Sequence, residues 1–382
     1  MSERGAFETS SVLVVGGGFA GVAAAWAVAR AGVQVVLVQH RAGASALYSG
    51  AVDGPPPTAE VRELGRALGL SVDASPRAIA TREGSVRSVR GRDTALLDLE
   101  SLAGARIAVA DIGRDDWDAS LLSRSYASAT WARRSGTSFA AIAVAALREG
   151  SERRIAPYDL ALRFDVPARA EQLTQALRTA APTVDAWLLG PWLGVQSDLA
   201  LGLSAALGCP VGETASQPGG NAGARFELKR GELLRALGVP TLTARVLGVA
   251  PAGGVFQVEL EGGARLETRA VVLALGGVAA GGIELQQVPG TQGAWFRLSL
   301  QSAARLELDA ELLDAGSSLA GVSFQRVGLG ALDRVGIHVN GGGRADSLPL
   351  FACGDVLAGR PRTVLAALTS GIDAGRSAVA SL

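Results

Sequence analysis

The chain has 382 residues, of which 50 are Gly, about 13% against a usual ~7%; 48% are hydrophobic and 19% charged. That composition belongs to a globular protein of two or three units with an ample buried core, and it excludes intrinsic disorder, collagen and coiled coil. The 36 Lys and Arg balance the 36 Asp and Glu, and no stretch interleaves aromatics with a basic patch, which argues against nucleic acid as a partner.

Ser11 to Val15 (SVLVV) is a short β-branched run that opens into Gly16-Gly17-Gly18-Phe19-Ala20-Gly21 and then an Ala-rich helical stretch, Val22 to Ala31. After Gly32 a second apolar run, Val33 to Val38, completes one βαβ unit with an expected right-handed crossover. The order strand, glycine turn, helix is the dinucleotide fingerprint of a Rossmann-like domain. Gly16 turns the chain, Gly18 lets the backbone approach a pyrophosphate, and Gly21 lets the helix pack on the strand; the helix N-terminus then faces the anion. A Gly-rich turn without ligand is the alternative.

A carboxylate usually ends the second strand and receives the ribose hydroxyls; this chain has Gln39, then His40 and Arg41. An amide can still hydrogen-bond a hydroxyl, without charge-assisted strength. His40 reads as a solvent-edge residue or an adenine contact. Ser45, Ser49 and Gly50 read as hydroxyl and backbone donors toward the pyrophosphate, or as a simple Ser-Gly turn.

Pro55 to Pro57 ends the first segment. The region 56–240 reads as its own inserted α/β domain for substrate or partner, with a strand at Arg106 to Ala110, an amphipathic helix near Ala168 to Thr179, and Trp187 and Trp192 as core or interface aromatics. Arg225, in Gly223-Ala224-Arg225-Phe226, reads as a clamp for a substrate phosphate or carboxylate, or as a surface salt bridge. From Thr241 the pattern becomes a β-meander, with strands at Leu242 to Val249, Val255 to Leu260 and Arg265 to Thr268. Ala270 to Leu275 is then a parallel-strand run ending in Gly276 and Gly277.

The last block holds a predicted strand at Val335 to Asn340, a second at Leu350 to Asp355, and a helix from about Thr363. Asp355, after Gly354, suits a ribityl hydroxyl or a helix cap, and the following helix N-terminus suits negative charge on reduced flavin. Cys353 reads as a small buried residue in preference to a redox thiol. His338 reads as a core histidine or a group near the isoalloxazine. Residues 1–55 and 241–382 are thus expected to form one discontinuous dinucleotide-binding domain.

This order resembles the FAD-dependent oxidoreductase superfamily, with the closing signature of the fumarate-reductase-like flavoproteins. Ser45-Ala46-Leu47-Tyr48-Ser49-Gly50-Ala51-Val52-Asp53 is similar to the segment after the second strand in the B-subunit family of anaerobic glycerol-3-phosphate dehydrogenase. The likeness continues through Arg106 to Ile112, the Arg225 region, Ala270 to Gly277 and Val335 to Gly375. It implies a flavoprotein subunit, described for that family with FMN, working beside an FAD dehydrogenase subunit and an iron–sulfur subunit that delivers electrons to membrane quinone. Arg225 and His338 would then serve catalysis, on a small-molecule substrate. The complete Gly16, Gly18, Gly21 turn favours FAD over FMN, which has no pyrophosphate to fill it. With no histidine in Gly43 to Gly50, non-covalent attachment is expected. Two alternatives stay open: a stand-alone FAD-dependent dehydrogenase or oxidase of a small hydroxy or amino acid, and a flavoprotein-like scaffold that has lost cofactor affinity, for which Gln39 is the warning.

The two cysteines, Cys209 and Cys353, and the two histidines form no C-x-x-C pair and no pair at ligand spacing, so no metal site is expected. Met1 to Ser11 lacks the order of a signal peptide, and no apolar run approaches the ~18 residues of a spanning helix. The expectation is a cytoplasmic protein, peripheral on the inner membrane only through a partner.

Overall fold

The computed structural model describes residues 9–287, 293–308, 311–313, 320–323 and 329–382. In chain order its elements are β1 (Thr9–Val15), α1 (Phe19–Arg30), β2 (Val35–Gln39), β3 (Ala51–Val52), α2 (Ala59–Ala67), β4 (Leu70–Ala80), β5 (Val86–Asp93), β6 (Arg106–Asp111), α3 (Ala119–Ser128), α4 (Thr130–Ser135), β7 (Ser138–Ala143), α5 (Pro157–Phe164), α6 (Pro167–Ala180), β8 (Ala186–Leu189), α7 (Leu199–Leu207), β9 (Val211–Glu213), α8 (Asn221–Ala236), β10 (Thr241–Thr243), β11 (Val246–Ala252), β12 (Val255–Leu260), β13 (Arg265–Leu273), β14 (Ile283–Gln287), β15 (Gly293–Leu298), β16 (Leu306–Leu308), β17 (Glu311–Leu313), β18 (Ala320–Ser323), β19 (Gly336–Ile337), β20 (Leu350–Ala352) and α9 (Val364–Ala380). The chain divides into two compact units: unit 1 is Met1–Ser45, Thr58–Leu64 and Arg230–Leu382, and unit 2 is Ala46–Pro57 and Gly65–Lys229. Unit 2 thus runs from Ala46 to Lys229 with Thr58–Leu64 belonging to unit 1.

Unit 1 is built on the sheet β10-β2-β1-β13, parallel between each of these neighbours. Val12 to Val15 lie between Val35 to Val38 and Ala270 to Leu273. Leu13, Val15, Val36, Val38, Val271 and Leu273 share a core with Val249, Phe256 and Val258. The alternate residues Val12, Val14, Leu37 and Val272 are also fully buried, so both faces are covered. Two covered faces are why these strands read as unbroken apolar runs. α1 and α9 pack closely through small residues: a Cβ at Gly375 would stand 2.6 Å from the Ala24 carbonyl oxygen, and one at Gly371 would collide with that of Ala20.

Three strand predictions are corrected here. The run Leu242 to Val249 is two strands, because Ala244 donates its N–H to the Gln39 carbonyl and the chain leaves the parallel sheet there; β10 extends that sheet while β11 begins the meander. Arg265 to Thr268 and the following run are one strand, β13, which pairs antiparallel with β12 at its start and parallel with β20 at its end. Val335 to Asn340 contributes only Gly336 and Ile337, held to β16. α1 also starts three residues before Val22, at Phe19.

Unit 2 carries a second parallel sheet, β7-β6-β8-β9, and an antiparallel one, β3-β5-β4. Its core joins Ile107, Val109, Leu173, Leu177, Trp187 and Trp192, the last two as expected of core aromatics. The fold is thus the α/β architecture read from the sequence: a discontinuous Rossmann-like unit with a β-meander, and a second α/β unit.

Candidate functional site

In unit 1 the chain passes from β1 to β2 on one side of β1, and β13 lies on the other. Ligands of open α/β sheets bind beyond the strand C-termini at such a reversal. There Gly16 has φ +111°, a left-handed conformation that favours glycine, and a Cβ on it would collide with the Ala274 carbonyl. A Cβ at Gly21 would collide with the Gly16 carbonyl, so this glycine sets how closely α1 approaches the turn. Gly18 is the N-cap of α1 and supplies no side-chain cap, and the first turn of the helix has no acidic residue. The Phe19 N–H donates to Ser45 Oγ at 3.0 Å. A Cβ at Gly18 would stand 2.8 Å from the same oxygen. Gly16, Gly18, Phe19, Ala20, Gly21 and Ser45 therefore meet at one helix N-terminus, an arrangement suited to an anion.

Gln39 ends β2 beside this turn, but its amide oxygen is engaged. It accepts from Arg230 Nη1 at 2.8 Å, and the same Nη1 donates to the Gly17 carbonyl at 2.8 Å. A side chain at Gly17 would collide with the amide oxygen. The amide contact expected of Gln39 is thereby narrowed: Nε2, with its two N–H groups, is its remaining polar function. Arg230, a buried residue of α8, was not legible, because it lies 191 residues from Gln39 and in no local motif. His40 is exposed at the strand edge.

The C-termini of β13 and β20 contribute Gly276 at φ +76° and Gly354 at φ +77°. A Cβ at Gly277 would stand 2.9 Å from the Asp355 carbonyl oxygen. The Gly354 N–H donates to Ser370 Oγ of α9 at 3.0 Å. Burial pushes the Asp355 carboxyl up from the ordinary carboxylate range, against the pull of the Arg362 guanidinium. The N-cap of α9 is Thr363, whose hydroxyl accepts from the Ala366 N–H at 3.3 Å, so Asp355 is not its cap. Cys353 is fully buried, its Sγ 3.8 Å from the Ala20 carbonyl oxygen, and burial pushes its thiol up to about 12. It is a neutral packing group.

Ser49, Gly50, Arg225 and His338 each have protein partners of their own. Ser49 and Gly50 belong to unit 2, where Ser49 accepts at its carbonyl from the Ser216 N–H at 2.9 Å and Gly50 accepts from the Tyr48 hydroxyl at 2.8 Å. Arg225 is also in unit 2. Its guanidinium donates to Asp93 Oδ2 at 3.1 Å, to Glu213, and to the Leu193 and Gly194 carbonyls at 3.2 and 2.8 Å. Burial opposes its charge, and the Asp93 and Glu213 carboxylates hold its pKa up. In place of a clamp or a surface salt bridge, Arg225 is a buried ion-pair hub that donates four hydrogen bonds to protein acceptors. His338 is half-exposed with Nδ1 3.0 Å from Glu307 Oε2, which corrects the expectation of a core histidine. Among the described residues no group of three His, Cys, Asp or Glu could hold a metal ion, and no helix is long and apolar enough to cross a membrane.

The family model described as glucose inhibited division protein A matches residues 11–82, the segment that contains the glycine turn. No curated protein matches the chain. Solved structures similar to it include the GidA-related protein from Thermus thermophilus, at 14% identity over 98% of this chain and 99% of that one with a TM-score of 0.36. Thioredoxin reductase from Streptococcus pyogenes matches at 11% identity over 98% and 99% with a TM-score of 0.35. FqzB matches at 13% identity and a TM-score of 0.30 over 71% of this chain, which spans 37% of FqzB.

Proposed function

We propose that this protein is an FAD-dependent oxidoreductase whose unit 1 holds the cofactor non-covalently. The observation that carries the reading is the N-terminus of α1, where Gly16, Gly18 and Gly21 stand at places where a Cβ would collide with the turn or with Ser45, and the helix has no acidic residue in its first turn. The residues present fit FAD: the glycine turn and the Ser45 hydroxyl suit the pyrophosphate, Gln39 the adenosine ribose, and Gly276, Gly354 and Asp355 the ribityl side. Bound flavin supplies hydride and single-electron chemistry, and the protein supplies position and electrostatics. Asp355, its carboxyl pushed up by burial, accepts a ribityl hydroxyl, and the N-terminus of α9 favours negative charge in its vicinity.

The finer reading is a subunit of a multi-subunit dehydrogenase resembling anaerobic glycerol-3-phosphate dehydrogenase, beside an FAD dehydrogenase subunit and an iron–sulfur subunit. What supports it is the Ser45 to Asp53 segment and the order of motifs after it. Its test is purification of the tagged chain from its own host. A stoichiometric complex containing iron, with glycerol 3-phosphate oxidation only in the assembled state, is expected. Turnover of a hydroxy or amino acid by the isolated chain with an artificial acceptor would overturn the subunit role and favour a stand-alone enzyme.

A further inference from the structure

We propose that Arg230 is a positioning residue of the dinucleotide site, fixing the Gln39 amide so that the ribose end offers N–H donors instead of the usual carboxylate acceptor. The inference rests on the reading that the Gly16 to Gly21 turn holds FAD. One guanidinium nitrogen, Nη1, bridges two acceptors: the Gly17 carbonyl at the turn and the Gln39 amide oxygen at the end of β2, each at 2.8 Å. A neutral amide can present either its oxygen or its nitrogen, and the choice is set by its partners. Here a cationic donor claims the oxygen, which leaves Nε2 and its two hydrogens for a ligand. The glycine at position 17 is part of the device, because any side chain there would meet the amide oxygen.

The chemistry follows from the position of Gln39. The last residue of the second strand is the one that reaches the adenosine ribose in a βαβ dinucleotide unit. With Gln39 held by Arg230, the ribose hydroxyls are met as acceptors. That effect acts on the adenosine half of FAD, a half that FMN does not possess. Arg230 should therefore govern discrimination between the two flavins.

The test titrates apoprotein with FAD and separately with FMN, following quenching of flavin fluorescence, for wild type, Arg230→Ala, Arg230→Lys and Gln39→Met. Arg230→Ala should weaken FAD about ten-fold, the loss of one charge-assisted contact, and leave FMN within about two-fold. Arg230→Lys, which keeps a donor but not the fork, should recover part of the FAD affinity. If Arg230→Ala fails to fold, Gln39→Met carries the same expectation, since it removes the amide at nearly constant volume. Equal weakening of FAD and FMN, or FAD affinity unchanged in either variant, would overturn the assignment. Wild-type protein that binds neither flavin would overturn the underlying dinucleotide reading along with it.

Discussion

Both units carry a parallel sheet with a reversal of strand order, between β1 and β13 in unit 1 and between β6 and β8 in unit 2, yet the two strand ends are finished in opposite ways. In unit 1 the chain leaves the strands through Gly16 to Gly18 and Gly276 to Gly277, which clear side chains from the edge. In unit 2 the β8 end runs into Trp192, buried and edge-on to Trp117 with ring centroids 5.1 Å apart, and Arg114 lies over the Trp192 ring. The Trp117 Nε1–H donates to the Ala110 carbonyl at 2.9 Å, closing the β6 end as well. Beside them, Asp93, Glu213 and Arg225 use their charges on one another. One architecture thus carries the proposed ligand cradle where glycines end the strands and a packed core where aromatics and ion pairs do.

The sharpest way to break this contrast is to put a side chain into the cradle. Gly18→Val should reduce FAD affinity by at least about a hundred-fold, because its branches meet Ser45 and cover the helix N–H groups that face the anion. Equilibrium titration with FAD checks it, and unchanged affinity would contradict the cradle. The converse change removes a plug. Trp192→Ala should destabilise unit 2 by about 3–5 kcal/mol in urea unfolding, while flavin bound per folded molecule stays constant.

Arg225→Met should also cost about 3–5 kcal/mol, since it leaves two buried carboxylates without their cation. Survival of this variant at wild-type stability would show that Arg225 is not the hub of unit 2. Glu213 gives the comparison a pH signature. Burial, opposed by Arg225, pushes its carboxyl up from the ordinary 4.5 to about 7. The folded state then binds more protons than the unfolded state between those values, so this group's contribution is full below about pH 4.5 and is lost as pH rises toward 7. Glu213→Gln should flatten that fall, as read from urea midpoints between pH 5 and 8. The smallest effect concerns the cysteines: in native protein a thiol reagent should modify Cys209 and spare Cys353, which packs against α1 with its thiol pushed up to about 12. Mass spectrometry of the labelled peptides checks it.

The glycine turn was legible because a left-handed φ at Gly16 and a missing Cβ at Gly21 are local demands that leave glycines at fixed spacing. The apolar runs of β1, β2 and β13 were legible because both of their faces are buried. The break between β10 and β11 was not, since alternation continues across Ala244 and Arg245, and only pairing with Gln39 separates the strands. The settings of Arg225 and Arg230 were hidden for a different reason. Each is defined by partners far away in sequence, and an arginine-rich chain gives no local sign of which guanidinium is buried. His338 sat in a predicted strand that the structure shortens to two residues, so an inward position could not be inferred from alternation.

The measurement that bears most directly on the contrast between the units is the identity of the flavin released by heat from the purified protein. The account predicts a yellow protein that releases FAD without residual covalent flavin, in a ratio near one per chain. A preparation that stays colourless after incubation with FAD would contradict it, as would release of FMN alone, because the cradle at Gly16 to Gly21 would then have no pyrophosphate to hold.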